Sequence, residues 1–366
     1  MSATSQTVGS LRDGPFASSP FNNAPILMSV GGWIPDAPDH LNDWLEKKLK
    51  ELEREPMNAF PDKSIADFRK LIEENAEVWM GFHRLFENVP EKDPLGRRQV
   101  KDYDTMLRLF NRFIQEAPEF DNNFLVFLPF TAVLQWPMAL ANGLTILINP
   151  LVNDHFRRVF KVWSDFLGPP ASRAYESKVL RIAYDVKERD HFWLKGQPYS
   201  LVHMLNNHPE ARSFIGGTVY QAFLSPFYYH RWSSPVDGII ERVEVVEGTY
   251  FAGVPSDEPP PPEYYAFQGQ QPFLAQVATR ALIFIRAHDP RIGRMCFIGI
   301  GMVEVSSCDI TVLKGQEVKK GQEIGTFHFG GSTHCLVFGP ATKLDFVAQV
   351  GELIPVHRVI AHLKSE

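Results

Sequence analysis

A glycine pair followed by two hydroxyl residues interrupts a strand-like run near the end of the chain. The stretch reads TFHFGGSTHCLVFGP over residues 326–340, with Gly331, Ser332 and Thr333 at its centre. Glycines inside a strand are unfavourable and mark a turn, a bulge or a close approach of backbone. A Ser that follows a Gly can attack the preceding carbonyl, because the Gly has no side chain in the path. The pattern leaves two interpretations open, an ordinary turn with locally bonded hydroxyls and a self-reacting serine.

Other residues able to do acid–base chemistry follow this stretch or lie in an earlier aromatic run. His334 and Cys335 come two and three residues after Ser332, so alternation along a strand sends them to opposite faces and only one can face a shared pocket. We assign the pocket position to His334, because Cys335 has no evident base and is predicted to be buried structure. His230 lies in YYHRWSSP, residues 228–235. By itself that run favours a hydrogen-bonded core histidine.

Composition is that of an ordinary globular protein. The 366 residues are 44% hydrophobic and 22% charged, which favours two domains and a sizeable core. The net charge of −6 provides no basic field for nucleic acid or for an anionic membrane surface. The three cysteines and the scattered histidines show no disulfide framework and no metal-ligand spacing. These features favour a cytoplasmic protein with a small-molecule partner, without bound metal or nucleic acid.

The first part of the chain has helical periodicity. Residues 1–25 lack the apolar core of a secretory signal and are predicted to be a disordered lead-in, and residues 26–170 are predicted to be a helical domain. The run 64–86 is predicted to be one helix, which opens with Ser64 and Asp67, a capping-box-like pair. Its apolar stripe, which includes Trp79, is typical of a core. The longest apolar run, 124–148, is broken by prolines and predicts a buried helical hairpin rather than a membrane span.

Residues 171–366 change in character and are predicted to form a mainly β domain. Short strand-like runs recur from Lys178 onward, separated by turn signals such as Asp237-Gly238 and Lys314-Gly315. The proline-rich stretch 256–272 is typical of an exposed loop. The expected fold class is therefore α+β, an all-helical domain followed by a β domain that closes as a hybrid of barrel and sandwich.

Three segments of this second half together resemble the phosphatidylserine decarboxylases. They are YYHRWSSPVDGIIERVEVVEGTYF (228–251), FIGIGMVEVSSCDITVLKGQEVKKGQEIGTFHFGGSTHCLVF (297–338) and VGELIPVHRVIAHL (350–363). The likeness covers 178–366 and is strongest to the fungal branch that acts on soluble amino acids, the type of the tryptophan decarboxylase of psilocybin biosynthesis. The helical domain resembles the extra domain of that branch.

The resemblance implies a pyruvoyl-dependent decarboxylase of a soluble amino acid or amino-acid-like intermediate, in fungal secondary metabolism. Ser332 Oγ would attack the carbonyl of Gly331, leaving chains 1–331 and 332–366 and a pyruvoyl group made from Ser332. This ketone would form a Schiff base with the substrate amine and accept the electrons released as CO2 leaves, so neither pyridoxal phosphate nor a metal is implied. His230 would lie in the decarboxylation pocket, and a homodimer is the common assembly in the family.

One position departs from the family pattern. The family reads Tyr-His-Arg-x-His-x-Pro, in which the second His is the base for the processing Ser, and here that position is Ser233. A Ser hydroxyl does not titrate near neutral pH and cannot replace an imidazole as general base without help. Three residues are candidates for a substitute base: His334, His328 and Glu176, the last of which lies at or beside the acidic position of the family.

The departure supports a second hypothesis. In this alternative, the protein is an uncleaved, divergent member of the family. It would bind or transform another small molecule in the pocket around His230, Ser332 and His334, without a pyruvoyl group.

Overall fold

The computed structural model describes most of the chain in separate stretches. They are residues 39–54, 61–92, 98–117, 128–167, 175–190, 199–224, 230–253, 271–328, 332–356 and 358–364. The predicted lead-in lies outside these residues, as do Gly331 and nearly all of the predicted proline-rich loop.

Helices dominate the described residues up to Leu167. They are α1 (Asp39–Glu53), α2 (Lys63–Glu74), α3 (Ala76–Glu87), α4 (Tyr103–Phe113), α5 (Pro129–Ala139), α6 (Ala141–Leu147) and α7 (Pro150–Leu167). Helix α5 contains Pro137 and is followed closely by α6, so the described part of the longest apolar run is a pair of helices. None of the described helices combines the length and apolar character needed to cross a bilayer.

The run 64–86 is two helices rather than the single one that its periodicity predicts. Asn75 has an extended backbone, which ends α2, and its side chain accepts hydrogen bonds at 3.1 Å from two backbone N–H groups in the first turn of α3. The capping prediction at Ser64 was wrong, because Asp62 is the N-cap residue and accepts from the Ser64 N–H at 2.8 Å. The predicted apolar stripe also fails at Trp79, which is 39% exposed.

Aromatic rings fill the interior of the helical part. Phe130 at the start of α5 lies 4.8 to 5.4 Å, between ring centroids, from Phe110, Phe113, Phe160 and Trp163. The contacts are tilted or edge-on, the geometries in which such pairs are each worth about 0.5–1.5 kcal/mol beyond burial. This packing fixes the first turn of α5.

Strands dominate the described residues from Tyr175 onward. They are β1 (Tyr175–Tyr184), β2 (Thr218–Leu224), β3 (Arg231–Ser233), β4 (Gly238–Val246), β5 (Arg280–Ala287), β6 (Arg294–Ile300), β7 (Cys308–Ile310), β8 (Glu317–Val318), β9 (Glu323–Phe327), β10 (Ser332–Phe338), β11 (Leu344–Phe346), β12 (Leu353–Pro355) and β13 (Ala361–Leu363). Two short helices, α8 (Leu201–Met204) and α9 (Gln271–Val277), lie between strands.

The largest sheet among the described residues is antiparallel, with strand order β12-β1-β2-β10-β6-β5-β4-β8. Two smaller sheets have the orders β3-β9-β7 and β11-β13. Strand β10 is internal, and Thr333 near its start pairs with Phe223 on one side and Ile300 on the other. The predicted α+β class is confirmed at this level, while closure as a barrel or sandwich stays a prediction.

The two faces of the main sheet belong to different cores. On β10, Leu336 and Phe338 join a core that continues into the helical part, whereas Cys335 and Val337 join a second core with residues of α8. Because the first core spans helices and strands, the predicted domain boundary near residue 170 stays a prediction.

A buried carboxylate joins the helical part to the sheet. Glu304 accepts hydrogen bonds from the N–H groups of Phe130 at 3.2 Å and Thr131 at 3.3 Å, and from the Thr131 hydroxyl. Burial raises the pKa of Glu304 to about 7, although these hydrogen bonds oppose the shift. The carboxylate caps the N-terminus of α5 and ties this helix to the turn that follows β6.

Candidate active site

Ser332 is the first residue of β10 and is fully buried. It pairs with Leu224 of β2, and its side chain is 0% exposed. Within the part of the chain that the structure describes, its Oγ has no hydrogen-bond partner. Buried hydroxyl groups are nearly always bonded, because an unbonded one has lost its water and gained nothing in return. The Ser332 hydroxyl is therefore unusual for a buried polar group.

The face of β10 that carries Ser332 opens into a cavity. His334, Leu336 and Phe338 lie on that face and line a cavity of about 440 Å³. Leu224, the partner of Ser332, lines it too. Two residues of strand separate Ser332 and His334 by about 7 Å between Cα atoms. The buried hydroxyl is thus adjacent to a space of the size that small-molecule sites usually have.

His334 is half-buried between two aromatic rings at the cavity wall. Its ring lies 5.9 Å from Phe297 in a nearly parallel stack and 6.1 Å from Tyr220. Burial lowers the pKa of His334 to about 4, because the charged imidazolium would lose its hydration there. At neutral pH this imidazole is uncharged and can accept a proton, although its low basicity makes it a weak general base.

The segment that begins at His230 is held against β9. The carbonyl oxygen of His230 accepts from the Phe327 N–H at 3.0 Å and from Thr326 Oγ1 at 3.2 Å, and His230 is itself buried. Trp232 packs between the sheets, with its ring 4.7 Å from Phe327 and 5.5 Å from Phe297. The local fold therefore holds the backbone of His230 near the end of the strand that leads to Ser332.

A close approach of backbone makes room for the Trp232 ring. A Cβ atom at Gly325 would lie 2.3 Å from this ring, and one at Gly299 would lie 2.7 Å from it. Both positions therefore need glycine, and the need is steric.

Ser233 lines the same cavity as His334. It ends β3 opposite Glu323 of β9. The cavity is thus bordered by Ser233, at the position where the resemblance predicts a base, and by the His334 imidazole from β10.

Charge around the cavity is one-sided. Its described lining residues include three cations, Arg231, Lys320 and Arg358, and contain no Asp or Glu. Arg231 is paired with Glu323 at 2.8 Å. Aromatic rings contribute much of the remaining wall, namely Tyr220, Trp232, Phe297, Phe338 and Phe346. A ligand with a flat apolar part and negative charge is complementary to this lining.

Neither His328 nor Cys335 lines this cavity. His328 Nε2 lies 3.1 Å from Asp309 Oδ2, and both residues line a different cavity of about 510 Å³ beside α7. Glu176 belongs to β1, and its side chain lies outside the described residues. Cys335 is fully buried in the second core, where burial and nearby Cys296 raise its thiol pKa. The described residues contain no group of three or more His, Cys, Asp or Glu that could hold a metal ion.

Sequence reasoning missed Gln221, which contacts the residue that follows Ser332. Gln221 is fully buried on β2 and donates to Thr333 Oγ1 at 3.3 Å, and its amide oxygen accepts from the Tyr199 hydroxyl. One signal was present, because Gln221 is the lone amide in the otherwise strand-forming run TVYQAFL. Its partner could not be read from the sequence, since 112 residues separate Gln221 from Thr333.

Comparisons with known proteins match this chain to decarboxylases. A family model described as phosphatidylserine decarboxylase matches residues 172–361, and a second model of similar description matches residues 62–180. The decarboxylase iboD of Amanita muscaria (strain Koide BX008) is 49% identical over 199 residues, which are 51% of this chain and 57% of that protein. An L-tryptophan decarboxylase of Psilocybe cubensis is 37% identical over 206 residues, 53% of this chain and 46% of that protein. The chain spans about half the length of these two relatives.

A more distant match has a different printed substrate. Phosphatidylserine decarboxylase proenzyme 3 of Schizosaccharomyces pombe is 27% identical over 187 residues, 47% of this chain and 18% of that protein. The similarity is therefore higher to the two decarboxylases from mushrooms than to this phospholipid enzyme.

Proposed function

Because the chain belongs to the phosphatidylserine decarboxylase family, we propose that it is a pyruvoyl-dependent decarboxylase of a soluble amino acid or an amino-acid-like intermediate. Ser332 is the self-processing residue. The observation that carries the proposal is the Ser332 hydroxyl, fully buried at the start of β10 and without a hydrogen-bond partner among the described residues. A buried hydroxyl without a partner in the described part of the chain is explained if its task is chemical.

Self-processing uses only atoms of the chain and water. Ser332 Oγ attacks the carbonyl carbon of Gly331, the C–N bond breaks, and the Oγ proton passes through a base to the freed amine. The Cα proton of residue 332 is then removed and the Gly331 carboxylate leaves from Cβ. Water then displaces the N-terminal nitrogen, which leaves as ammonia. A ketone remains at the new N-terminus. The resulting pyruvoyl group supplies an electron sink for the electrons released when CO2 departs.

His334 is the first base to test. It lies on the face of β10 that carries Ser332, and its lowered pKa keeps it uncharged and able to accept a proton at neutral pH. His328 is oriented by Asp309, but it lines the other cavity. Glu176 and the decarboxylation role of His230 stay predictions from the resemblance.

The cavity beside Ser332 supports a small amino-acid substrate. Its volume of about 440 Å³ suits a small molecule, and its aromatic wall suits a flat or apolar side chain. The two matched decarboxylases from mushrooms favour secondary metabolism, and one of them is named for tryptophan. A cytoplasmic location and a homodimer stay predictions.

A second function is favoured by one observation. Ser233 stands at the cavity where the family pattern has its processing base. If no other residue takes over that task, the chain stays intact, and the cavity binds or transforms a small molecule without a pyruvoyl group.

Intact mass measurement of the purified, denatured protein separates the two functions. We expect two chains, 1–331 and 332–366, the smaller lacking the mass of ammonia because a ketone replaces its N-terminal amine. A Ser233→His variant should cleave faster, since it returns an imidazole to the cavity. A single chain of 41.6 kDa in both proteins would contradict the pyruvoyl proposal and favour the second function.

A further inference from the structure

The residue after the nucleophile is held from several directions. The backbone of Thr333 pairs with Phe223 of β2 and with Ile300 of β6. Its hydroxyl donates to the carbonyl oxygen of Ala222 at 2.8 Å and accepts from Gln221 Nε2 at 3.3 Å. Thr333 is fully buried, so water does not compete for these bonds. The start of β10 is thereby fixed in both backbone and side chain.

A chain of buried polar groups continues from Thr333 to other elements. Gln221 Nε2 also lies 3.4 Å from the carbonyl oxygen of Gln271 at the start of α9, and Gln221 Oε1 accepts from the Tyr199 hydroxyl. Tyr199 is 2% exposed, and burial raises its pKa, which keeps the phenol protonated as a donor. The guanidinium of Arg181 on β1 lies 5.5 Å from the centre of the Tyr199 ring. We call Tyr199, Gln221 and Thr333 the polar chain.

The polar chain lies on an otherwise apolar face. Its neighbours there include Val219, Cys335 and Val337, which form the second core. Apolar side chains of similar shape at these three positions would fill the space without the cost of desolvating amide and hydroxyl groups. Apolar packing would not fix the position of these groups as closely, because apolar contacts tolerate small shifts. Hydrogen bonds are directional and hold a group to one position.

The preceding residue, Ser332, shows the opposite situation. Ser332 Oγ has no partner among the described residues, although it is as deeply buried as Thr333. The fold therefore anchors the neighbour of the nucleophile, while the described residues offer the nucleophile itself no hydrogen bond. A hydroxyl engaged as a donor would have to break that bond before it could attack.

We propose that Tyr199, Gln221 and Thr333 are positioning residues for self-processing, which hold the start of β10 so that Ser332 Oγ is aimed at the carbonyl before it. This inference rests on the proposed function. Attack through a short ring of backbone atoms depends on orientation, and misplacement by about 1 Å can cost a large factor in rate. The polar chain acts through Ser332 and does not touch the substrate.

Thr333→Val tests the proposal, because it removes the hydroxyl and keeps the shape. The matched control is Thr342→Val, since Thr342 is also buried and its hydroxyl donates to a carbonyl, that of Ile292, at 2.9 Å. Cleavage of freshly made protein is followed by mass, and stability by the melting temperature. We expect Thr333→Val to slow cleavage by about tenfold or more and Thr342→Val to cleave at the wild-type rate with a similar loss of melting temperature.

Two further arms report on position rather than stability. Thr333→Ser restores the hydroxyl and should restore the rate, and Tyr199→Phe should slow cleavage to an intermediate extent. Hydroxylamine, which cleaves esters readily and amides slowly, measures how much of the chain has undergone the first step. We expect less hydroxylamine cleavage in Thr333→Val than in Thr342→Val.

Equal rates in Thr333→Val and Thr342→Val, or no recovery in Thr333→Ser, would overturn the positioning role while leaving the proposed function intact. A wild-type chain that neither cleaves by itself nor yields to hydroxylamine would overturn the proposed function and this role with it. The wild-type sample therefore distinguishes the two failures.

Discussion

The two faces of strand β10 differ in the surroundings that they give to polar side chains. One face carries Ser332 and His334 along the edge of a cavity, where the Ser332 hydroxyl lacks a partner among the described residues and the His334 imidazole is kept neutral. The other face carries Thr333, whose hydroxyl has two partners, and Cys335 within an apolar core. Successive residues of β10 thus lie alternately beside the cavity and inside the closed second core.

This difference indicates that the face with Ser332 and His334 is the one suited to chemistry. Closed packing with satisfied polar atoms stabilises a fold, whereas an open face with an unbonded nucleophile contributes little to stability. Outside the polar chain of Tyr199, Gln221 and Thr333, the two faces should therefore respond to substitution in different measurements. Substitutions on the cavity face should change cleavage and pH dependence, and substitutions on the closed face should change the free energy of unfolding.

The largest expected effect is that of Ser332→Ala. It should abolish cleavage, so that mass measurement finds one chain of 41.6 kDa. The free energy of unfolding should not fall, because the hydroxyl has no hydrogen-bond partner among the described residues. Ser306→Ala is the control, since Ser306 is also buried but donates to the Val303 carbonyl at 2.8 Å. That variant should cleave normally and lose about 1 kcal/mol in denaturant unfolding. Cleavage of Ser332→Ala, or a loss of stability as large as that of Ser306→Ala, would break the comparison.

A smaller effect is expected on the closed face. Cys335→Ser places a hydroxyl in the apolar second core and should lower the free energy of unfolding by about 2 kcal/mol, with the cleavage rate unchanged. Cys308→Ser should cost less, because the carbonyl oxygen of Gly299 lies 3.6 Å from the Cys308 sulfur and can accept from the new hydroxyl. Equal costs in urea titrations of the two variants would argue against a closed, apolar environment at Cys335.

The smallest expected effect is the pH dependence at His334. The pKa of this residue is about 4 in the folded state and about 6.5 in the unfolded chain. The unfolded chain therefore binds more protons between these values, so stability is fully present above pH 6.5 and is lost as pH falls toward 4. His334→Gln should remove this loss, worth roughly 1–2 kcal/mol between pH 7 and pH 5.

Urea unfolding of the wild type and of His334→Gln at pH 7 and at pH 5 measures whether stability falls on acidification as expected. A variant that loses as much stability as the wild type on acidification would show that His334 is not held neutral at the cavity wall.

Much of this architecture follows from local pattern. The helical period before residue 170 and the short strand runs after it predict an α+β fold, because periods of 3.6 and 2 bury different sets of side chains. The same period of 2 predicts that His334 and Cys335 face opposite ways. The capping prediction at Ser64 and the single helix over 64–86 were wrong, because the side chains of Asp62 and Asn75 bind backbone N–H groups more directly than the apolar stripe can reveal.

By itself the sequence determined the secondary-structure classes, the family resemblance and the choice of Ser332, since these depend on neighbouring residues and on motifs. Only the tertiary structure decided that Gln221 bonds Thr333 across 112 residues, and that a cavity lies on the His334 face rather than the Cys335 face. The physical reason is that strand register pairs segments far apart in the chain. Whether a buried hydroxyl is bonded or left free depends on what that pairing brings beside it.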